Sequence, residues 1–314
     1  LFFAFDPNFL AHASLVKNDV SIALVTLALA WTVWRAGRRL TFFNAIGIAL
    51  LCAAGVNVKF SGVLLGPIAA MLLLVRALGP WAWDVPGRRL TARWTKVSAA
   101  VCVCVLAAAV SYAGIWACYG FRFAPTPDPS ARMNVRRMLT FTAVHDIPTR
   151  EGHAPAKHSV LHWQMGAVPR AVVALERNHV LPQAWLMGFL YTYQSTLARS
   201  SFLLGFYSVT GWWYYFPLAM LYKSPIALII AAALSVAIGF SVLREKPLRA
   251  AFEGAWTFAC LLLPPAIYMA SAMHSNLNIG LRHVLLVYPF IYLGIGLAAK
   301  RLWRLRPQVA PRAI

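Results

Sequence analysis

From Val20 to Trp34 the sequence reads VSIALVTLALAWTVW, without a charged residue. A run of this kind belongs in hydrocarbon or in the middle of a large core, and this chain has several. In lipid, every backbone N–H and C=O must be bonded within its own segment, so such runs are helices. About 20 apolar residues span a bilayer, somewhat fewer where it thins. The spans expected are 20–36, 42–57, 60–76, 97–119, 224–243, 251–272 and 283–299. A single helix over 42–76 would be too long for one crossing, so NVKFSG at 57–62 is expected as a tight hairpin broken by its glycine.

Composition agrees. Of the 314 residues, 60% are hydrophobic and 12% charged, against roughly 25% charged in a soluble domain. The net charge of +20 could suggest nucleic acid, but many of the basic residues lie in short clusters between apolar runs, the pattern of loops beside an anionic lipid surface. No nucleic-acid partner is expected. The five cysteines (Cys52, Cys102, Cys104, Cys118 and Cys260) all fall in apolar runs and read as small packing residues. Leu1–Phe5, LFFAF, is too short to span and reads as the end of a helix that begins upstream, so the chain is expected to be a fragment.

Lys and Arg set the orientation. Arg35, Arg38 and Arg39 follow the first span, and Arg76, Arg88, Arg89, Arg93 and Lys96 follow the third. Arg244, Lys246 and Arg249 follow the fifth, and Lys300, Arg301, Arg304, Arg306 and Arg312 follow the last. The short segments on the other side hold only Lys17, Lys59 and Arg282. The first side is expected to be cytoplasmic. The fold class expected is therefore all-α, a multi-pass transmembrane helical protein of about seven spans with a long extracytoplasmic loop. Residues 1–119 form an N-terminal transmembrane block, incomplete at its start. Residues 120–212 form the extracytoplasmic loop, opening with APTPDPS and carrying interfacial helices marked by Trp163, Trp185, Tyr191 and Tyr193. Residues 213–314 form a C-terminal transmembrane block with a basic cytoplasmic tail. Stretch 184–206 is apolar but is not expected to span, because one more crossing would put Arg244–Arg249 outside. GWWYYFPLAMLYKSP (211–225) is an aromatic belt in which Pro217 is expected to kink any helix.

That orientation gathers polar groups at the outer face: His12, Lys17, Asn18, Asp19, Lys59, Asn278, Arg282 and His283. Cations from three separate outer hairpins run against the usual bias. A lipid phosphate at that level would account for them, since Arg and Lys bind phosphate through charge-assisted hydrogen bonds, and a nearby carboxylate could take a proton from an acceptor hydroxyl. Simpler roles compete. Asp19 could cap the helix starting at Val20, Asp6 before Pro7 reads as a plain cap, and Lys59 could only snorkel to the interface. No His, Asp or Glu pair has metal-site spacing, and there is no phosphate-cradling Gly-rich loop.

These residues also resemble a family. AHASLVKND (11–19) is similar to the AHGSLVTTD-like segment of glycosyltransferase family 39, the protein O-mannosyltransferase-like enzymes of the GT-C fold. NVKFSGVLLGP (57–67) looks like its Lys-Phe-Ser hairpin. SSFLLGFYSVTGWWYYFPLAMLYKSP (200–225) resembles its segment before a late span, and LNIGLRHVLLVYPF (277–290) its Arg-His segment. The matches follow in order along nearly the whole chain. The resemblance implies a GT-C-like fold and a glycosyltransferase that moves a mannose-like hexose from a polyprenyl-phosphate carrier to a hydroxyl of protein, lipid or glycan. The bilayer, the carrier and the acceptor are the partners it implies. It places the enzyme in the plasma (inner) membrane, acting at its extracytoplasmic face. Asp19 matches the family's second acidic position and is the catalytic candidate; the family's first, often an Asp-Glu pair, would precede Leu1. Lys59, Arg282 and His283 match the positions assigned to the donor phosphate. His12, Lys17, Asn278, Tyr214 and Tyr215 are the candidate substrate contacts. The lipid-linked sugar is a co-substrate, and a divalent metal stays open as a cofactor. Lys17 and Asn18 stand where relatives often carry threonines, and Phe206 where many carry a polar residue. A transporter or flippase of a lipid-linked sugar, or a non-catalytic paralogue, are the alternatives.

Overall fold

The computed structural model describes residues 3–15, 17–128, 130–131, 133–151, 156–245 and 252–305. Helices dominate. In chain order they are α1 (Pro7–Ala13), α2 (Asp19–Arg38), α3 (Phe42–Val58), a 3-10 helix (Phe60–Leu64), α4 (Leu65–Leu78), α5 (Arg93–Cys118), α6 (Val135–Glu151), α7 (Lys157–Leu161), α8 (Ala167–Arg177), α9 (Gln183–Leu197), α10 (Tyr215–Lys223), α11 (Ile226–Glu245), α12 (Phe252–Met273), a second 3-10 helix (Leu281–Val287) and α13 (Tyr288–Leu305). Two antiparallel hairpins interrupt them: β1 (Trp83–Val85) with β2 (Arg88–Leu90), and β3 (Ser201–Leu203) with β4 (Phe206–Ser208).

Among the described residues, five helical segments are long and apolar enough to cross a membrane: Asp19–Arg38, Phe60–Leu78, Arg93–Cys118, Gly254–Met273 and Leu281–Arg304. Their outward faces carry Leu24, Trp31, Met71, Val101 and Val105 exposed. A water-soluble protein does not leave so much apolar surface uncovered; this is an integral membrane protein. Helices stand at all seven expected spans, with two qualifications. α3, at 17 residues, is short. α10 and the part of α11 up to Ser241 pass the test only as a pair, bent by 119°.

That bend corrects the expectation for Pro217, which lies in the first turn of α10, where proline is tolerated. The break comes instead at Ser224-Pro225, with Ser224 in the extended conformation that a following proline imposes. Stretch 184–206 does not span: α9 covers 15 residues and gives way to the β3–β4 hairpin. Phe3–Phe5 form a turn rather than a helix end, and residues 1 and 2 lie outside the described residues. So do the basic positions Lys246, Arg249, Arg306 and Arg312.

Three apolar clusters hold the fold. The largest joins α2, α3, α4, α5 and α12 through Leu29, Val33, Ile48, Leu72, Trp83 and Trp256. α2 and α12 lie so close that a Cβ on Gly37 would enter the Trp256 ring. The Trp256 indole donates to the Trp34 carbonyl at 2.9 Å, and the Trp34 indole to Thr257 Oγ1 at 3.0 Å. A second cluster packs α1, α10, the second 3-10 helix and α13 around Phe9, Phe216, Leu285 and Tyr288. A third fastens the end of α5 to the 120–212 segment through Ile115, Val172, Trp185 and Leu190.

Two cations expected beside a lipid surface are inside the protein. Arg76 is 1% and Lys96 2% exposed. Arg76 Nε donates to the Gly37 carbonyl at 2.6 Å, and its Nη atoms to the carbonyls of Trp81 and Ala82. Lys96 Nζ donates to the carbonyls of Gly79 and Trp81. The chain turns here through β1–β2, whose Pro86-Gly87 tip has Gly87 at φ 76, as a type II turn requires. The Trp83 indole donates to the Ala36 carbonyl at 2.7 Å. Carbonyls left over at helix ends are thereby satisfied by buried donors.

Candidate functional site

At the end of the bundle where α2 begins and α3 ends, Lys59 Nζ lies 2.6 Å from Asp19 Oδ1. The two side chains are 15% and 7% exposed. The N-cap of α2 is Asn18, without a capping side-chain bond, and Asp19 is the first helical residue. Asp19 spends an oxygen on the ammonium instead. Asp6, by contrast, does cap: its Oδ1 accepts from the N–H groups of Asn8 and Phe9, with Pro7 following.

Local backbone geometry builds the pair. Lys59 is extended, with φ −155° and ψ 141°, between α3 and the first 3-10 helix. The turn fits because Gly62 packs on α3, where a Cβ would collide with the Gly55 carbonyl. Asn18 Nδ2 donates to the Val58 carbonyl at 2.8 Å and ties the start of α2 to the end of α3.

Lys59 opens onto a cavity of about 690 Å³. Asn18, Ser61 and His283 join it in the lining, as do Tyr193 and Tyr268. The Tyr268 hydroxyl donates to Ser61 Oγ at 3.1 Å. The opposite wall is aromatic: Trp185 and Phe189 stack with centroids 5.6 Å apart, and Phe60 meets Trp185 edge-on at 5.7 Å. His283 Nε2 is buried without a hydrogen-bond partner. The charges of Lys59, Arg282, Asp19 and Arg199 all act on the His283 ring. Burial, and then the Asp146 carboxylate, push the Tyr193 hydroxyl above its ordinary range, so it lines the cavity as a neutral donor. Asp146 is itself held by the Trp163 indole at 2.8 Å and by Arg150 at 3.1 Å.

The structure thus pairs Asp19 with Lys59 and brings both, with Arg282, within electrostatic reach of His283. The remaining candidates lie elsewhere among the described residues. Asn278, 1% exposed, accepts from the Trp212 N–H at 2.6 Å and donates to the Ser275 carbonyl, so its amide braces the loop between α12 and Arg282. Tyr214 precedes the first residue of α10 without a capping side-chain bond and meets Trp213 edge-on, and Tyr215 packs against the second apolar cluster. His12 sits in the last turn of α1 with Nδ1 buried and unpartnered, and Lys17 is exposed. Sequence reasoning missed Arg199, Ser61, Tyr268 and the Phe60–Trp185–Phe189 wall. Only the interfacial aromatics had a sequence signal. Among the described residues, no three His, Cys, Asp or Glu side chains converge as a metal site.

No family model, curated protein or solved structure matches this chain.

The site stands on its own geometry. It offers an anion the Lys59 ammonium, with its partner carboxylate one hydrogen bond away, the His283 ring in the lining and an aromatic wall. Such a cavity suits an amphiphile with a charged head.

Proposed function

We propose that this protein is a membrane glycosyltransferase that moves a sugar, a mannose-like hexose, from a polyprenyl-phosphate carrier to a hydroxyl of protein, lipid or glycan at the extracytoplasmic face. The observation that carries the reading is the Asp19–Lys59 pair at the edge of a cavity that His283 also lines. The resemblance of residues 11–19, 57–67, 200–225 and 277–290 to glycosyltransferase family 39, and the GT-C-like architecture it implies, support the same reading.

In this mechanism Lys59 and Arg282 hold the carrier phosphate, and His283 supplies it a further hydrogen bond. The aromatic wall receives the first isoprene units. The acceptor oxygen attacks the anomeric carbon, the bond from that carbon to phosphate oxygen breaks with inversion, and polyprenyl phosphate departs. The acceptor proton passes to Asp19. Because the leaving group is already good, the protein chiefly orients the acceptor and neutralises phosphate charge. The phosphate competes with Asp19 for the Lys59 ammonium, so donor binding frees the carboxylate for its role as base.

The test is transfer from a radiolabelled polyprenyl-phosphate sugar by the full-length protein in liposomes. Asp19→Asn and Arg282→Ala should each lower the rate about a hundredfold, within the range for removing a general base or a charge-stabilising donor. Wild-type rates in both variants, with folding intact, would end this assignment. One observation favours a second reading, transport of the lipid-linked sugar: the 119° break between α10 and α11 resembles the discontinuous helices of transporters. Sugar-lipid uptake into liposomes without any transfer product would select it.

A further inference from the structure

A second and larger cavity runs along the bundle to its other end. It measures about 1,220 Å³, more than the roughly 300–1,000 Å³ of an ordinary small-molecule pocket. α11, α12 and α13 form its sides, and its walls are apolar, with Val236, Phe258, Leu262, Phe290, Ile291 and Leu297 among them. Gly239, Gly254 and Gly294 also line it, and an added Cβ at Gly254 would meet nothing within 4 Å. One end is basic: Arg38 at the close of α2, and Lys300, Arg301 and Arg304 near the end of α13. Lys300 and Arg304 are four residues apart on a helix and share a face. Arg38 and Arg301 also interact within the protein, so the charge argument rests on Lys300 and Arg304.

We propose that this groove binds an anionic glycerophospholipid, with its phosphate on Lys300 and Arg304 and its acyl chains between α11, α12 and α13. An apolar groove in a bilayer fills with lipid chains, and the cluster at its mouth selects the headgroup by charge. Basic pockets between transmembrane helices recognise anionic lipids in this way. The site is separate from the Asp19–Lys59 cavity. α2 runs 20 residues from Asp19 to Arg38, which at 1.5 Å per residue sets the two polar ends roughly 30 Å apart. The lipid therefore comes from the leaflet opposite the proposed transfer site.

Native mass spectrometry of the delipidated full-length protein tests this, by titrating phosphatidylglycerol against phosphatidylcholine. Wild-type protein should retain phosphatidylglycerol about thirtyfold more tightly, the order expected for two basic groups at a headgroup. The Lys300→Gln, Arg304→Gln double variant should reduce that preference to within about twofold. Ala266→Phe, which adds bulk to the groove twelve residues further along α12 than Gly254, should reduce binding of both lipids. Thermal unfolding of each variant in detergent reports whether it is folded, and the intact one of the two suffices. Equal retention of both lipids by wild type, unchanged preference in the charge variant, or displacement of phosphatidylglycerol by an equal concentration of polyprenyl phosphate would each overturn the proposal. None of these readouts involves sugar transfer, so the outcome is independent of the enzymatic reading.

Discussion

Lys59 reaches from the end of α3 to the first turn of α2 and places Nζ 2.6 Å from Asp19 Oδ1, where both side chains are largely withdrawn from solvent. A withdrawn pair is destabilising to break from one side and much less so to remove whole. Asp19→Ala or Lys59→Ala alone should therefore destabilise the protein by about 3 kcal/mol. The Asp19→Asn, Lys59→Met pair should recover most of that. Unfolding in mixed detergent measures all of these. Equal loss in the single and double variants would mean that the two groups do not depend on each other.

Gly62 sets where Lys59 points. A methyl group there collides with the Gly55 carbonyl, which is backbone and cannot swing away. Gly62→Ala should destabilise by about 2 kcal/mol, the scale of overpacking. Gly66→Ala, one turn later in α4, meets nothing within 4 Å and should stabilise slightly, since Ala is the better helix former. Melting temperatures of the two variants in one detergent give the contrast directly.

Arg76 donates to three backbone carbonyls, those of Gly37, Trp81 and Ala82. Arg76→Met keeps much of the volume but takes the guanidinium from the Gly37 and Ala82 carbonyls, while Trp81 keeps Lys96, at about 1–3 kcal/mol for an orphaned buried group. Hydrogen exchange at the N–H groups of residues 83–90 should rise, because the β1–β2 hairpin hangs on these bonds. Unchanged exchange would show that the hairpin holds without the guanidinium.

The Tyr268 hydroxyl bonds Ser61 in the cavity wall at 3.1 Å. Tyr268→Phe should lower stability by only about 1 kcal/mol. If the cavity takes a lipid-linked donor, Phe189→Ala should raise the KM for that donor and spare kcat, because the ring contributes binding that does not change in the transition state. Steady-state kinetics at several donor concentrations separate the two effects.

Much of this architecture was legible in the apolar runs, because lipid leaves a backbone no option but the helix. The hairpin at 57–62 followed from chain length and Gly62, and the Asp6 cap from Asp-Pro. Other features had no periodic signal. The β1–β2 hairpin is three residues a side, and its Pro86-Gly87 tip was its one local mark. Pro217 reads in sequence as a kink but sits unkinked in the first turn of α10, because a first-turn proline and a helix-ending one look alike in sequence. For Asp19, helix capping and ion pairing predict the same residue at the same position, and only the approach of Lys59 separates them. Tyr268 reaches the cavity, and Arg199 the neighbourhood of His283, through tertiary packing, which spacing along the chain does not encode.

Arg76 and Lys96 give the far rim an additional property. Arg76 lies over the rings of Trp83 and Phe252, and both cations donate to backbone carbonyls. Dissolved salt weakens exposed charges beyond a Debye length of about 10 Å at 0.1 M, but hardly reaches buried ones. Brine that loosens whatever anion sits on Lys300 and Arg304 would leave the knot around Trp83 tied. That rim carries two populations of basic residue, one responsive to the medium and one deaf to it, and the formal +20 overstates the charge that the bilayer surface feels.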